Sequence, residues 1–196
     1  MTVPQRLRGR PRDPDVDEQI MEAARKLLAQ NGYDALTFEM ISQLTGIGRP
    51  TIYRRWPTKT HLLNDIANGG DVPLPDVIEA QGLRAEIHAL ISQVADRYNQ
   101  PELAAASIGM IVAFQRNPEL RNELHLPLEE RARRELSAIV EKGQRSGLLH
   151  AGTDADTLFD TIVGTLIFRL MFSSKAPPAS YVDRLTEQII RGIEQR

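Results

Sequence analysis

An all-α fold in two parts is what this chain predicts, with a small N-terminal unit and a larger C-terminal one. Three observations carry that expectation. Apolar residues recur at helical spacing along most of the sequence. Strand-like alternation is short, and β-branched residues are sparse. Residues 69–82 (GGDVPLPDVIEAQG) are rich in Gly and Pro and divide the helical segments into two groups.

The elements of the first group follow in order. Residues 1–12 hold Arg6, Arg8, Arg10 and Arg12 among two Pro and a Gly, with no acid and no helical period, and read as a flexible basic arm. Asp13-Pro14 suits a helix start, with Asp as N-cap and Pro, which needs no amide hydrogen there, in the first position. Ile20, Ala24, Leu27 and Leu28 then share one apolar face, and Gly32 stops the helix. Thr37 can cap a second helix whose apolar positions are Phe38, Ile41 and Leu44, ending in a turn at Gly46. A short third helix runs from about Gly48 to Arg54, and Thr58 can cap a fourth that carries Leu62, Leu63 and Ile66 and ends before Gly69-Gly70. The expected organisation is an arm over 1–12, a first domain over 13–68 and a second over 69–196.

In the second group, Leu83, Ile87, Leu90, Ile91 and Val94 line one helix face. Residues 101–116 are mostly apolar and predict a buried helix; 118–146 is long and charged, with Pro127 placed to bend or split it. Residues 154–172 are strongly apolar around Gly164, and Val182, Leu185, Ile189 and Ile193 are in register along a final helix.

Composition narrows the function. With 196 residues, 41% hydrophobic and 26% charged, the chain can bury a sizeable core. The absence of Cys excludes disulfides, thiolate metal sites and Cys nucleophiles, and fits a cytoplasmic protein. No apolar run of about 18 residues predicts a membrane span. The net charge of −2 is unevenly spread: through Asn68 there are 10 Lys/Arg against 8 Asp/Glu, and beyond it 14 against 18. Positive charge is thus concentrated in the first part, where phosphates would be met.

The richest stretch is residues 37–59, TFEMISQLTGIGRPTIYRRWPTK. Two helices joined by a tight Gly turn, the second loaded with polar and basic side chains, form a helix-turn-helix, whose second helix enters the major groove of duplex DNA. Arg49, in the first turn of that helix, can reach guanine O6 and N7 with two hydrogen bonds. Pro50 can meet a thymine methyl, and Thr51 a base edge or a phosphate. Ile52 and Trp56 fall on the apolar side and read as core.

Residues 14–68 resemble the DNA-binding domain of the TetR family of bacterial transcriptional regulators, on the segment GIGRPTIYRRWPTKTHLL (46–63): a turn Gly, a short reading helix, Tyr, an aromatic three residues on, and a Lys opening the next helix. The resemblance implies that Tyr53 lies along the DNA backbone with its hydroxyl on a phosphate. It implies that Lys59 meets another phosphate near the fourth helix's N-terminus and that Thr37 holds one at the start of the second. Of Arg54 and Arg55, one is expected to face DNA and the other to be solvated. The sequence departs from the family pattern at Gly48, where a hydroxyl residue is common, and at Thr45, where a small Ala is usual and Thr crowds the turn.

Arg8-Gly9-Arg10-Pro11 resembles the core of an AT-hook, whose arginines enter a narrow A·T-rich minor groove, so Arg8 and Arg10 join the expected DNA contacts. A solubilising tail is the alternative.

Beyond residue 69 the resemblance extends only to helical content and length. It implies a cavity for a small apolar or amphipathic effector of unknown identity, for which Met110, Ile111, Phe114, Phe168, Met171 and Phe172 are candidate lining residues and a filled core the alternative. Arg97, Tyr98 and Arg169 could add polarity there, or be salt-bridged or solvated. Helices over 154–172 and 179–194 carry more apolar surface than docking on their own domain requires, which predicts a two-fold homodimer interface. The four His are far apart, without metal-ligand spacing, and no phosphate-binding glycine pattern is present, so the sequence calls for no catalytic residue, metal or cofactor. The expected function is a DNA-binding transcriptional regulator, a repressor released from a near-palindromic operator by its effector. The alternative is a nucleoid-associated or partner-binding architectural protein that uses the same DNA head.

Overall fold

The computed structural model describes residues 14–69, 82–173 and 177–195, and these form helices joined by short connections. The arm, with Arg8 and Arg10, and most of the 69–82 boundary lie outside the described residues.

Local rules account for the first four helices. Helix α1 spans Pro14–Ala35 and is broken at Gly32, whose φ of 74° leaves the helical region. Helix α2 spans Phe38–Thr45; the Thr37 hydroxyl accepts the Met40 amide at 3.1 Å and caps it. Gly46 ends α2 at φ 71°, donating its amide to the Ser42 carbonyl at 2.9 Å; a side chain there would be strained. Helix α3 spans Arg49–Arg55 with Gly48 as N-cap and no side-chain cap, as its missing hydroxyl requires. Helix α4 spans Lys59–Asn68, capped by Thr58, which accepts the His61 amide.

The remaining helices are α5 (Leu83–Asn99), α6 (Pro101–Arg116), α7 (Pro118–Leu124), α8 (Leu126–Arg145), α9 (Ala155–Phe172) and α10 (Ala179–Ile193). Pro127 stands in the first turn of α8, so the charged segment splits at His125 as its proline predicts. Among the described residues the extended pairing is limited to one bridge, Leu149 with Glu194, which ties the α8–α9 connection to the end of α10.

Two apolar clusters hold these helices. One gathers Ile20, Ala24, Leu27 and Leu28 of α1 with Phe38, Ile41, Ile52, Trp56, Leu62, Leu63 and Ile66, and is completed by Ala106, Met110 and Phe114 of α6. The other joins α5, α8, α9 and α10 through Ile87, Ile91, Leu136, Val140, Ile162, Leu166, Leu185 and Ile189. Helix α6 therefore belongs by sequence to the second half and by packing to the first. Its buried face (Ala106, Ser107, Gly109, Met110, Phe114) meets α1 and α4, while Ile108, Ile111 and Val112 are half-buried on its other side.

One apolar position departs from expectation. Leu44 lies three residues beyond Ile41 yet is 56% exposed, because two successive steps of three carry it about 120° round the helix from Phe38.

Candidate nucleic-acid interface

The third helix is pinned from its inner side. Ile52 is fully buried and Trp56 nearly so, and the Trp56 indole N–H donates to the Asp65 carboxylate of α4 at 2.7 Å. Arg55 donates through Nε to the Asp17 carboxylate of α1 and through Nη1 to the Thr51 carbonyl at 3.3 Å. Its side chain is only 6% exposed, so it is not the solvated charge that its neighbourhood in the sequence suggested. Helical rotation turns residue 55 inward, beside Ile52, and a buried guanidinium needs the counter-charge Asp17 supplies. At the turn, the Thr45 hydroxyl donates to the Ile41 carbonyl at 2.8 Å and accepts the Ile47 amide at 3.2 Å. The residue expected to crowd the turn thus bridges it.

Pinning one face presents the other. Arg49, Pro50 and Arg54 are exposed, Tyr53 is 54% exposed, and Thr51 is half-buried at the edge of this face. Positions 49, 50, 53 and 54 are neighbours at three- and four-residue spacing, so they form one polar surface. The Tyr53 ring is held edge-on against Phe38, with centroids 4.8 Å apart and planes at 78°. Thr37 is exposed; its hydroxyl oxygen accepts the Met40 amide and still has a proton to donate. The chemistry of this surface is donor-rich and cationic, as base edges and phosphates require.

Lys59, the first residue of α4, has its ammonium against the end of α1. Its ammonium donates to the Tyr33 carbonyl and lies 3.8 Å from the centroid of the Tyr33 ring. Partial burial pushes its pKa below the usual lysine value, with Asp34 pulling the other way.

Glu39 was not among the residues read from the sequence. It stands in the first turn of α2, and its carboxylate lies 3.5 Å from Nη1 of Arg49. No local pattern announces this pair, since its members belong to different helices.

The candidate effector residues are not gathered in one place. Met110 and Phe114 are buried in the cluster of the N-terminal helices, and Ile111 is half-buried on another side of α6. Phe168, Met171 and Phe172 lie at the exposed end of α9, with Phe168 and Phe172 in contact at 5.0 Å between centroids. The two sets diverge because α6 and α9 bury their apolar stripes in different clusters. The polar candidates are scattered too, and among the described residues the Arg169 Nε is buried without a hydrogen-bond partner. Arg97 donates to Asn68 at 2.8 Å, burial raises the pKa of Tyr98, and Arg169 stacks over Tyr181 at 4.3 Å. A groove of about 1000 Å³ runs between α9 and α10 and is lined by residues such as Thr157, Thr161, Thr165, Arg184 and Gln188.

Among the described residues no group of His, Asp or Glu is arranged to hold a metal ion, and no helix is long and apolar enough to cross a membrane. The histidines with described partners sit beside acids: His61 by Glu123, His88 by Asp183 and His125 by Glu129.

Comparison with known proteins agrees with this architecture. Residues 20–66 match the model of bacterial regulatory proteins, tetR family, and residues 77–189 match the tetracyclin repressor-like C-terminal domain. The chain is 26% identical over 195 residues to the HTH-type transcriptional regulator YdeS of Bacillus subtilis (strain 168), covering 97% of this chain and 96% of that protein. It is 22% identical over 172 residues to the DNA-binding transcriptional repressor TetR of Mycobacteroides abscessus, covering 87% and 90%. A transcriptional regulator from Saccharomonospora viridis, solved in complex with choline, superposes with a TM-score of 0.73 at 19% identity, covering 94% of this chain and all of that one, which is a likeness of fold.

Proposed function

The chain belongs to the tetR family of bacterial regulatory proteins, and we propose that it is a DNA-binding transcriptional repressor that acts in the cytoplasm as a homodimer whose two α3 helices read successive major grooves of a near-palindromic operator. In this reading Arg49, Pro50 and Thr51 meet base edges, while Thr37, Tyr53, Arg54 and Lys59 meet phosphates; Arg8 and Arg10 of the arm enter the adjacent minor groove. The observation that carries it is the division of α3 into a buried side, Ile52, Arg55 and Trp56, and an exposed donor-rich side, Arg49, Pro50, Tyr53 and Arg54. A helix pinned on one side and cationic on the other is suited to a groove.

Dimerisation is proposed through α9 and α10. Phe168 and Phe172 are 64% and 74% exposed, and the α9–α10 groove beside them can receive a helix of the second copy. To read successive major grooves, such a dimer must hold its heads about 34 Å apart, the repeat of the major groove.

Release by a small apolar or amphipathic effector is the regulatory half of the proposal. The choline-bound Saccharomonospora viridis regulator supports a small-molecule site in this fold. Because α6 shares its apolar cluster with α1 and the reading helices, a ligand that displaces α6 displaces the head. The effector must bind the spacing that DNA does not, and each tenfold difference in its affinity for the two shapes contributes about 1.4 kcal/mol to release.

The test is selection of duplexes from a random pool by the full-length protein, then titration of the selected operator with and without a metabolite panel. A near-palindromic site released by one compound class is expected. A monomeric complex on a single half-site, or occupancy that no compound alters, overturns the corresponding part.

A further inference from the structure

We infer that Glu39 is the positioning residue for Arg49 and, through it, sets base preference at the pair that Arg49 meets. This rests on the proposal above that Arg49 reaches a base edge. The Glu39 carboxylate lies 3.5 Å from Arg49 Nη1, and both side chains are more than half exposed. A pair so exposed adds little to the stability of the fold. A carboxylate beside a phosphate-facing surface also weakens binding to every duplex, so its presence opposes affinity. What it supplies is orientation. Glu39 is carried by α2, which Phe38 and Ile41 anchor in the core and Thr37 caps, so its carboxylate rides on a fixed support. Arg49, on a long and rotamer-rich stem, would otherwise be drawn to whichever phosphate lay nearest. Glu39 competes for it and holds it over the groove. Of the five guanidinium N–H groups, those not turned to Glu39 suffice for a two-bond contact with guanine.

An acid in the first turn of α2 also complements the helix dipole. That role moves thermal stability and leaves base preference untouched, which makes the two separable.

The experiment uses the full-length protein, the duplex it selects, single-base variants of that duplex and a scrambled duplex. For R49A, discrimination at one base pair is expected to fall about tenfold or more. For E39Q, it should fall about fivefold at the same base pair while scrambled DNA is bound more tightly, because a negative charge has gone. The E39D variant, which keeps the charge on a shorter arm, should lose preference without gaining scrambled affinity. In the R49A/E39Q double variant, discrimination should match R49A alone. If E39Q tightens all duplexes equally with preference intact, Glu39 is a solvated charge and the inference fails while the reading of Arg49 stands. If its loss falls at a different pair and adds to that of R49A, Glu39 touches a base itself and the positioning role fails. If R49A keeps its preference, the reading of Arg49 fails and takes this inference with it.

Discussion

The ring of Tyr33 in α1 occupies the space that a side chain on Gly109 of α6 would need: an ideal Cβ at 109 would lie 2.1 Å from Tyr33 Cδ2 and 2.5 Å from Cε2. The same tyrosine receives the Lys59 ammonium on its carbonyl and ring. Helix α6, the end of α1 and the start of α4 thus meet at one residue, and a change at 109 acts on all three. For Gly109→Ala the ring must shift off α6, at a cost of about 1–3 kcal/mol from overpacking. Urea denaturation should record it. In a Tyr33→Ala background the added methyl should cost little, and that coupling identifies the ring as the obstacle.

Lys59→Ala should weaken the selected and scrambled duplexes alike and make the salt dependence shallower by about one in logarithmic slope. Titrations at several ionic strengths check this. An unchanged slope with reduced stability would place Lys59 in the fold alone, as the partner of Tyr33.

Arg54 and Arg55 are adjacent and should behave oppositely. Arg54→Ala removes an exposed charge, so stability should change by no more than about 0.5 kcal/mol while DNA affinity falls. Asp17→Ala leaves Arg55 buried without its counter-charge. The expected loss is about 2–3 kcal/mol, below that for a fully buried pair because Asp17 is 31% exposed. Thermal melts alongside binding curves distinguish the two residues.

Burial lowers the pKa of His125 below its ordinary 6.5, against the raising influence of Glu129 and with a smaller lowering one from Arg121. A depressed folded-state value means the unfolded chain binds the proton more readily. This contribution to stability is complete above about pH 6.5 and is lost as pH falls toward the folded value. His125→Gln should therefore flatten the pH dependence of the denaturation midpoint between about pH 7 and pH 5. An identical profile in wild type and variant would remove His125 from the account.

Phe172→Glu places a charge in the most exposed large apolar position of α9. Sedimentation should show a shift toward monomer at micromolar concentration with helicity retained, and operator affinity should fall with it, since one head makes half the contacts. A stable dimer would move the interface away from this end of α9.

Much of the fold was legible because its signals are local. The Thr37 and Thr58 caps, the left-handed glycine at 46, the split at Pro127 and the limits of α9 each depend on residues within a turn or two. The inner side of α3 was legible at Ile52 and Trp56 for the same reason. Leu44 was misjudged because two steps of three residues turn it off the face that Phe38 and Ile41 share.

The sequence by itself determined where most helices start and stop and that Ile52 and Trp56 form the inner side of α3, since backbone capping and helical periodicity act within a few residues. Only the tertiary structure decided the partners: Asp17 for Arg55, 38 residues away, Glu39 for Arg49, Tyr33 for Lys59, and the N-terminal cluster for Met110 and Phe114. A charge or an apolar stripe can satisfy many counterparts equally well on paper. Which one it meets is fixed when all the helices pack at once and the cheapest burial of the whole set selects the pairs.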